Sequence, residues 1–142
     1  MFDNFNFEIA KIFKKAENEM QELKHPYVGS EHLLLAILSN NDKLTKILNN
    51  NNLNYKIFRN ELINIVGTGS KKSEFSLYTP LLKRIIDNAL EDAKEDNKGI
   101  VTTTHLFLSL LEEAEGIAIR IMMSLNINLD QLYKELKNSS IK

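Results

Sequence analysis

Residues Tyr27-Val28-Gly29-Ser30-Glu31-His32-Leu33-Leu34-Leu35-Ala36-Ile37-Leu38 are answered later by Ile100-Val101-Thr102-Thr103-Thr104-His105-Leu106-Phe107-Leu108-Ser109-Leu110-Leu111, 73 positions on from His32 to His105. Each stretch is a short turn, a hydroxyl residue, a histidine and a nearly unbroken apolar run. Ser30 can accept from the orphan amides of a helix start, and Glu31 in the first turn suits the positive end of the helix dipole. Thr103 stands where Ser30 stood, and His105-Leu106-x-Leu108 answers His32-Leu33-x-Leu35. A chain of 142 residues carrying this pattern twice reads as two copies of one unit, with this helix at the middle of each.

The flanking periodicity completes the unit. Phe5, Ile9, Ile12, Phe13, Ala16, Met20 and Leu23 recur at steps of three and four, one apolar face of a long helix that Pro26 closes. Leu44, Ile47 and Leu48 predict a short helix after the central one, and Leu53, Tyr55, Phe58, Leu62, Ile65 and Val66 a fourth, stopped by Gly67. In the second copy Thr79-Pro80 opens a helix with Leu82, Ile85, Ile86, Ala89 and Ala93 on one face. Thr103 to Glu113, Gly116 to Leu125, and Ile127 to Leu136 follow in the same order. The register between the later helices is one longer (53 to 127), which places the shorter spacing of the first copy in the loop before its third helix. Strict alternation of apolar and polar residues never persists, so no strand is expected. The expected architecture is all-α: eight helices as two tandem four-helix repeats about a pseudo-twofold axis. Repeat one covers about 5–66, a linker 67–77, and repeat two about 78–138, together a single domain.

Charge narrows the function classes. Eighteen basic against nineteen acidic residues leave a formal charge of −1, with no global attraction to nucleic acid or an anionic membrane. The chain has no cysteine, hence no disulfide framework and no thiolate chemistry. Its first ten residues lack the basic start and apolar centre of a secretory signal, and no apolar run approaches transmembrane length. A cytoplasmic, monomeric domain is expected.

Candidate chemistry is sparse. The polar linker Gly67-Thr68-Gly69-Ser70-Lys71-Lys72-Ser73 lacks a glycine directly before Lys-Ser and follows no strand, so it is not read as a phosphate loop. His32 and His105 occupy equivalent helix starts, but zinc would want more ligands at close spacing. They are read as structural residues bracing the turn, and His25 as a surface residue. No metal site, cofactor or catalytic residue is expected. Met122-Met123 is read as core filling rather than a pliable binding surface. Glu31 keeps two readings: a first-turn charge on the helix dipole, or a carboxylate for a guanidinium, with helix-start amides left for an attached phosphate.

The doubled Gly29-Ser30-Glu31-His32-Leu33-Leu34 pattern, the long helix before each copy and the two helices after it resemble the Clp N-terminal repeat domain. This domain precedes the ATPase rings of Clp-type AAA+ unfoldases. Met1-Phe2 with Phe5, Tyr78-Thr79-Pro80 and Gly116-Ile117-Ala118 look most like the ClpC type, whereas Leu38-Ser39-Asn40 is closer to the ClpA type. The resemblance runs from about Phe2 to Asn138.

This resemblance implies a docking module that is not itself an enzyme. Relatives of this kind capture adaptor proteins and protein substrates and pass them to ATPase rings, which thread them into a Clp peptidase. ATP would be bound by those AAA+ modules and not by these residues. ClpC-type domains also recognise phosphorylated arginine, which would place Ser30, Glu31, Thr103 and Thr104 at ligand-binding positions. The family's second repeat normally repeats the glycine and the glutamate, and here Thr102 and Thr104 replace them. Recognition is therefore expected to be one-sided, carried by Glu31. Alternatives are a free-standing Clp-repeat protein regulating a Clp complex and a small helical enzyme.

Overall fold

The computed structural model describes residues 6–139, and Met1, Phe2 and Phe5 lie outside them. Among the described residues eight helices form: α1 (Phe7–Leu23), α2 (Ser30–Leu38), α3 (Lys43–Asn50), α4 (Tyr55–Val66), α5 (Pro80–Asp96), α6 (Thr103–Glu113), α7 (Ile117–Ser124) and α8 (Leu129–Asn138). Among the described residues no strand occurs, and a single parallel bridge joins Val28 to Tyr78.

Local chemistry sets most helix ends. Asn6, Asp42, Asn54, Thr79, Thr102 and Asn128 each accept the amide three residues on, the expected role of short polar side chains at an N-cap. Helix α1 ends with Lys24 in the left-handed region (φ 59°) while the His25 amide reaches back to the Met20 carbonyl. Gly69 then lies against the Lys24 carbonyl, where a Cβ would collide with backbone. That close approach folds the linker onto the end of α1, with the Gly69 amide donating to the Leu23 carbonyl at 3.0 Å.

Helices α2 and α6 form the centre. Every residue of α2 is buried, as are Thr103 to Leu111 of α6. A helix apolar on all sides is stable only when enclosed. Here α1 covers α2, α5 covers α6, and α2 and α6 meet each other. Helix α2 also touches α4 and α7, and α6 touches α8. The repeats therefore share one core. Met122 fills it, while Met123 is 62% exposed, so only the first of the pair is core filling.

The extra residue of the second repeat is not where its spacing suggested. Helix α6 is 11 residues long against 9 for α2, and the loop after it (114–116) is shorter than its counterpart (39–42). Thr103 to Leu111 already match α2 in burial, so the added residues are Glu112 and Glu113 at the partly exposed end of α6.

Candidate functional site: paired helix starts at the repeat interface

Ser30 is the first residue of α2, not its cap. Gly29 holds the cap position, and the Ser30 hydroxyl, 1% exposed, instead accepts the Ala118 amide at 3.3 Å. Ala118 lies in the first turn of α7, whose own cap, Gly116, has no side chain to offer. The equivalent Thr103 hydroxyl donates to Oδ2 of Asp42, the cap of α3, at 2.7 Å. Each central helix thus starts against the start of the third helix of the other repeat. These reciprocal contacts make the relation between the halves a pseudo-twofold.

The histidines sit at the third helical position and accept from the cap amide, as glutamate does in a capping box. The Gly29 amide donates to Nδ1 of His32 at 2.9 Å, and the Thr102 amide to Nδ1 of His105 at 3.0 Å. With Nδ1 an acceptor, each neutral ring carries its proton on Nε2. In the second repeat that nitrogen meets Asp96 at 2.8 Å. In the first it meets Nδ1 of His25 at 2.9 Å, and Nε2 of His25 reaches the Gly67 carbonyl at 2.8 Å.

His25 is therefore not a surface residue. It is 6% exposed and links α2 to the end of α4. The backbone turn after Lys24 carries it inward, with Pro26 and Tyr27 left outside. Burial, with a contribution from neighbouring His25, lowers the pKa of His32 to about 3, so its ring is neutral. Ligand atoms of His25, Glu31 and His32 lie within 4.8 Å of one another. Yet all four ring nitrogens serve one directed hydrogen-bond chain from Gly29 to Gly67. A metal ion would have to break that chain, so the geometry favours a neutral relay over a metal centre.

Glu31 is 6% exposed and folds back over Gly29, where a Cβ would collide with its carboxylate. The absence of a Cβ at 29 leaves room for that carboxylate, and the dihedral angles there do not call for glycine. Burial pushes the Glu31 carboxyl up to about 7, against the weaker opposing pull of its own backbone amide. Its Oε2 stands 3.9 Å from Nδ1 of His32, which is occupied by the Gly29 amide. Among the described residues, no side chain donates to it.

The second start differs. Thr102, Thr103 and Thr104 line a cavity of about 230 Å³ with the first turns of α1 and α3. Three helix N-termini converge there. Thr103 and Thr104 are 7% and 2% exposed. A carboxylate is present after all, supplied by Asp42 from the first repeat. Burial works to raise its pKa, and hydrogen bonds from the Thr45 amide, Thr103, Asn40 and the Thr45 hydroxyl outweigh it and hold the group ionised. Those donors occupy both oxygens. Spacing could not reveal Asp42, which lies 61 residues from Thr103.

An all-α domain of two interlocked repeats, each built on a central buried helix with a histidine-braced start, defines a class. The chain belongs to the Clp repeat (R) N-terminal domain family, which it matches over residues 4–90 and 77–141. It is 31% identical over 134 residues, 93% of this chain, to the ATP-dependent Clp protease ATP-binding subunit ClpA homolog of Guillardia theta. It is 28% identical over 137 residues, 96% of this chain, to the negative regulator of genetic competence ClpC/MecB of Bacillus subtilis (strain 168). The chain spans 16% and 17% of the length of these relatives. Its fold matches the N-terminal domain of the chaperone ClpD from Arabidopsis thaliana with a TM-score of 0.79 at 17% identity, covering 96% of this chain and 97% of that one. It also matches a ClpV N-domain in complex with a VipB peptide, with a TM-score of 0.69 at 19% identity, covering 98% and 91%.

Proposed function

We propose that this chain is the docking domain of a Clp-type AAA+ unfoldase, holding adaptor proteins and protein substrates for ATPase rings and a Clp peptidase. Family membership over nearly the whole chain, against a small fraction of each relative's length, supports this reading. So does the ClpV N-domain that holds a peptide on the same fold.

Within that role, Glu31 is the residue for an arginine or phosphoarginine side chain. The observation that carries it is a buried carboxylate at a helix start to which, among the described residues, no other side chain donates. A guanidinium would supply the missing donors and draw the carboxyl into its ionised form. The attached phosphate would lie at the positive end of the α2 dipole. The Ser30 and Thr103 hydroxyls are committed to Ala118 and Asp42, so their contribution is to hold the helix starts in place. Thr104 is neutral where Glu31 is acidic, and the oxygens of Asp42 are already occupied. Recognition is therefore one-sided.

Calorimetric titration of phosphoarginine into the wild type and Glu31→Ala tests this. One site is expected, weakened about tenfold to a hundredfold by the loss of a charge-assisted hydrogen bond worth roughly 1.5–3 kcal/mol. Two equal sites, or unchanged binding in Glu31→Ala, would overturn it.

A further inference from the structure

The segment joining the repeats carries its polarity inside out. Around Tyr78 the chain runs beside Val28, with the Val28 amide donating to the Leu77 carbonyl at 2.8 Å and the Thr79 amide to the Val28 carbonyl at 3.0 Å. Exposure alternates residue by residue from Phe75 to Tyr78. The inward pair is polar: the Ser76 hydroxyl accepts from Gln21 at 3.2 Å, and the Tyr78 hydroxyl donates to Glu17 at 2.7 Å. The outward pair is apolar, with Phe75 63% and Leu77 57% exposed. Tyr27, 53% exposed, stands with them. These three account for a third of the nine large apolar side chains left exposed among the described residues, gathered at one place.

Two adjoining grooves, of about 550 and 400 Å³, share Tyr27 and Leu77 as walls. Lys24, Lys71 and Lys72 line the larger and Lys83 the smaller, and among the described residues Glu74 is the one carboxylate in either wall. In a chain of net charge −1, four ammonium groups around an apolar strip form a local excess. The strip is also fixed in place. The Ser73 hydroxyl donates to the His25 carbonyl at 3.0 Å, and the Gly69 amide holds the other end to α1. A pre-ordered apolar strip needs little further ordering to bind, and grouped exposed apolar side chains mark interaction surfaces.

We infer that this strap is a second docking surface, for an acidic, extended segment of a partner protein that carries large apolar side chains. Carboxylates of the segment meet Lys24, Lys71, Lys72 and Lys83, and its apolar side chains lie on Tyr27, Phe75 and Leu77. The surface is separate from the helix starts, and its recognition involves neither arginine nor phosphate. It therefore stands or falls apart from the role proposed for Glu31.

Fluorescence anisotropy with the whole chain tests the inference. The probe is a labelled peptide in which aspartates flank a phenylalanine and a leucine two residues apart. Saturable binding that weakens at high salt is expected, with no binding by the same peptide carrying lysines for aspartates. The double variant Lys71→Glu/Lys72→Glu and the single variant Phe75→Ser should each weaken binding about tenfold, while Lys134→Glu on α8 leaves it unchanged. All these side chains are exposed, and circular dichroism checks that helicity is retained. Equal binding of the lysine peptide, or wild-type affinity in both strap variants, would overturn the inference. So would binding of phosphatidylserine vesicles in place of the peptide, or self-association that the strap variants abolish.

Discussion

Nε2 of His32 and Nδ1 of His25 lie 2.9 Å apart in the interior, two imidazoles sharing one proton between helix α2 and the turn after α1. The Gly29 amide feeds this chain and the Gly67 carbonyl ends it, so four groups depend on one another. His25→Ala leaves Nε2 of His32 and the Gly67 carbonyl without their partner. Each buried polar group left unpaired costs about 1–3 kcal/mol. A drop of that order or somewhat more is expected in urea unfolding, with His25→Gln losing less because its amide can still accept and donate.

Glu31 and His32 oppose each other in their pH dependence. His32 is held to about 3 in the fold against 6.5 outside it, so between those values the unfolded chain binds more protons and stability rises with pH. Glu31 stands near 7 against 4.5, so between those values the folded chain binds more protons and stability falls as pH rises. The two slopes offset one another from about 4.5 to 6.5. Glu31→Gln removes one of them. Relative to wild type the variant should gain about 1–3 kcal/mol at pH 8 and little at pH 4. Chemical unfolding at both pH values measures it, and an equal change at both would show that the carboxylate does not titrate as described.

The reciprocal caps across the interface allow an additivity test. Ser30→Ala removes the acceptor for the Ala118 amide, and Thr103→Val removes the donor to Asp42. Each should cost about 0.5–2 kcal/mol. They share no partner, so the double variant should lose the sum to within about 0.5 kcal/mol. A single unfolding transition is expected in all three, because both repeats share one core. Separate transitions for the two halves would contradict that.

Glu19 is fully buried and holds three groups from two helices. Its Oε2 accepts from the Tyr55 hydroxyl at 2.7 Å and pairs with Lys15 at 3.2 Å, and Arg59 stands 3.7 Å from Oε1. Tyr55→Phe should cost about 1–2 kcal/mol in the wild type and clearly less in a Glu19→Gln background. A double-mutant cycle by thermal unfolding reads the coupling, and none would mean that the carboxylate is held by its cations alone.

Repeat and helix order were legible in the sequence, because they follow from interactions between near neighbours. Steps of three and four place Ile9, Ile12, Ala16 and Met20 on one face whatever they pack against, and Thr79 caps α5 with an amide three residues away, whereas the caps of α2 and α3 fall on Gly29 and Asp42 and not on Ser30. Doubling of the Ser30 and Thr103 stretches set the two-repeat plan for the same reason. The partners of the polar side chains belonged to the tertiary structure. Ser30 finds Ala118 at a separation of 88 residues, Thr103 finds Asp42 at 61, and Tyr55 finds Glu19 at 36. No periodicity reaches that far, so the sequence places His25 at the surface and leaves Glu31 with two readings, whereas the packed repeats enclose both. Enclosure removes water, and with water gone a carboxylate titrates near 7 and a histidine near 3, values set by the surroundings and not by the residue.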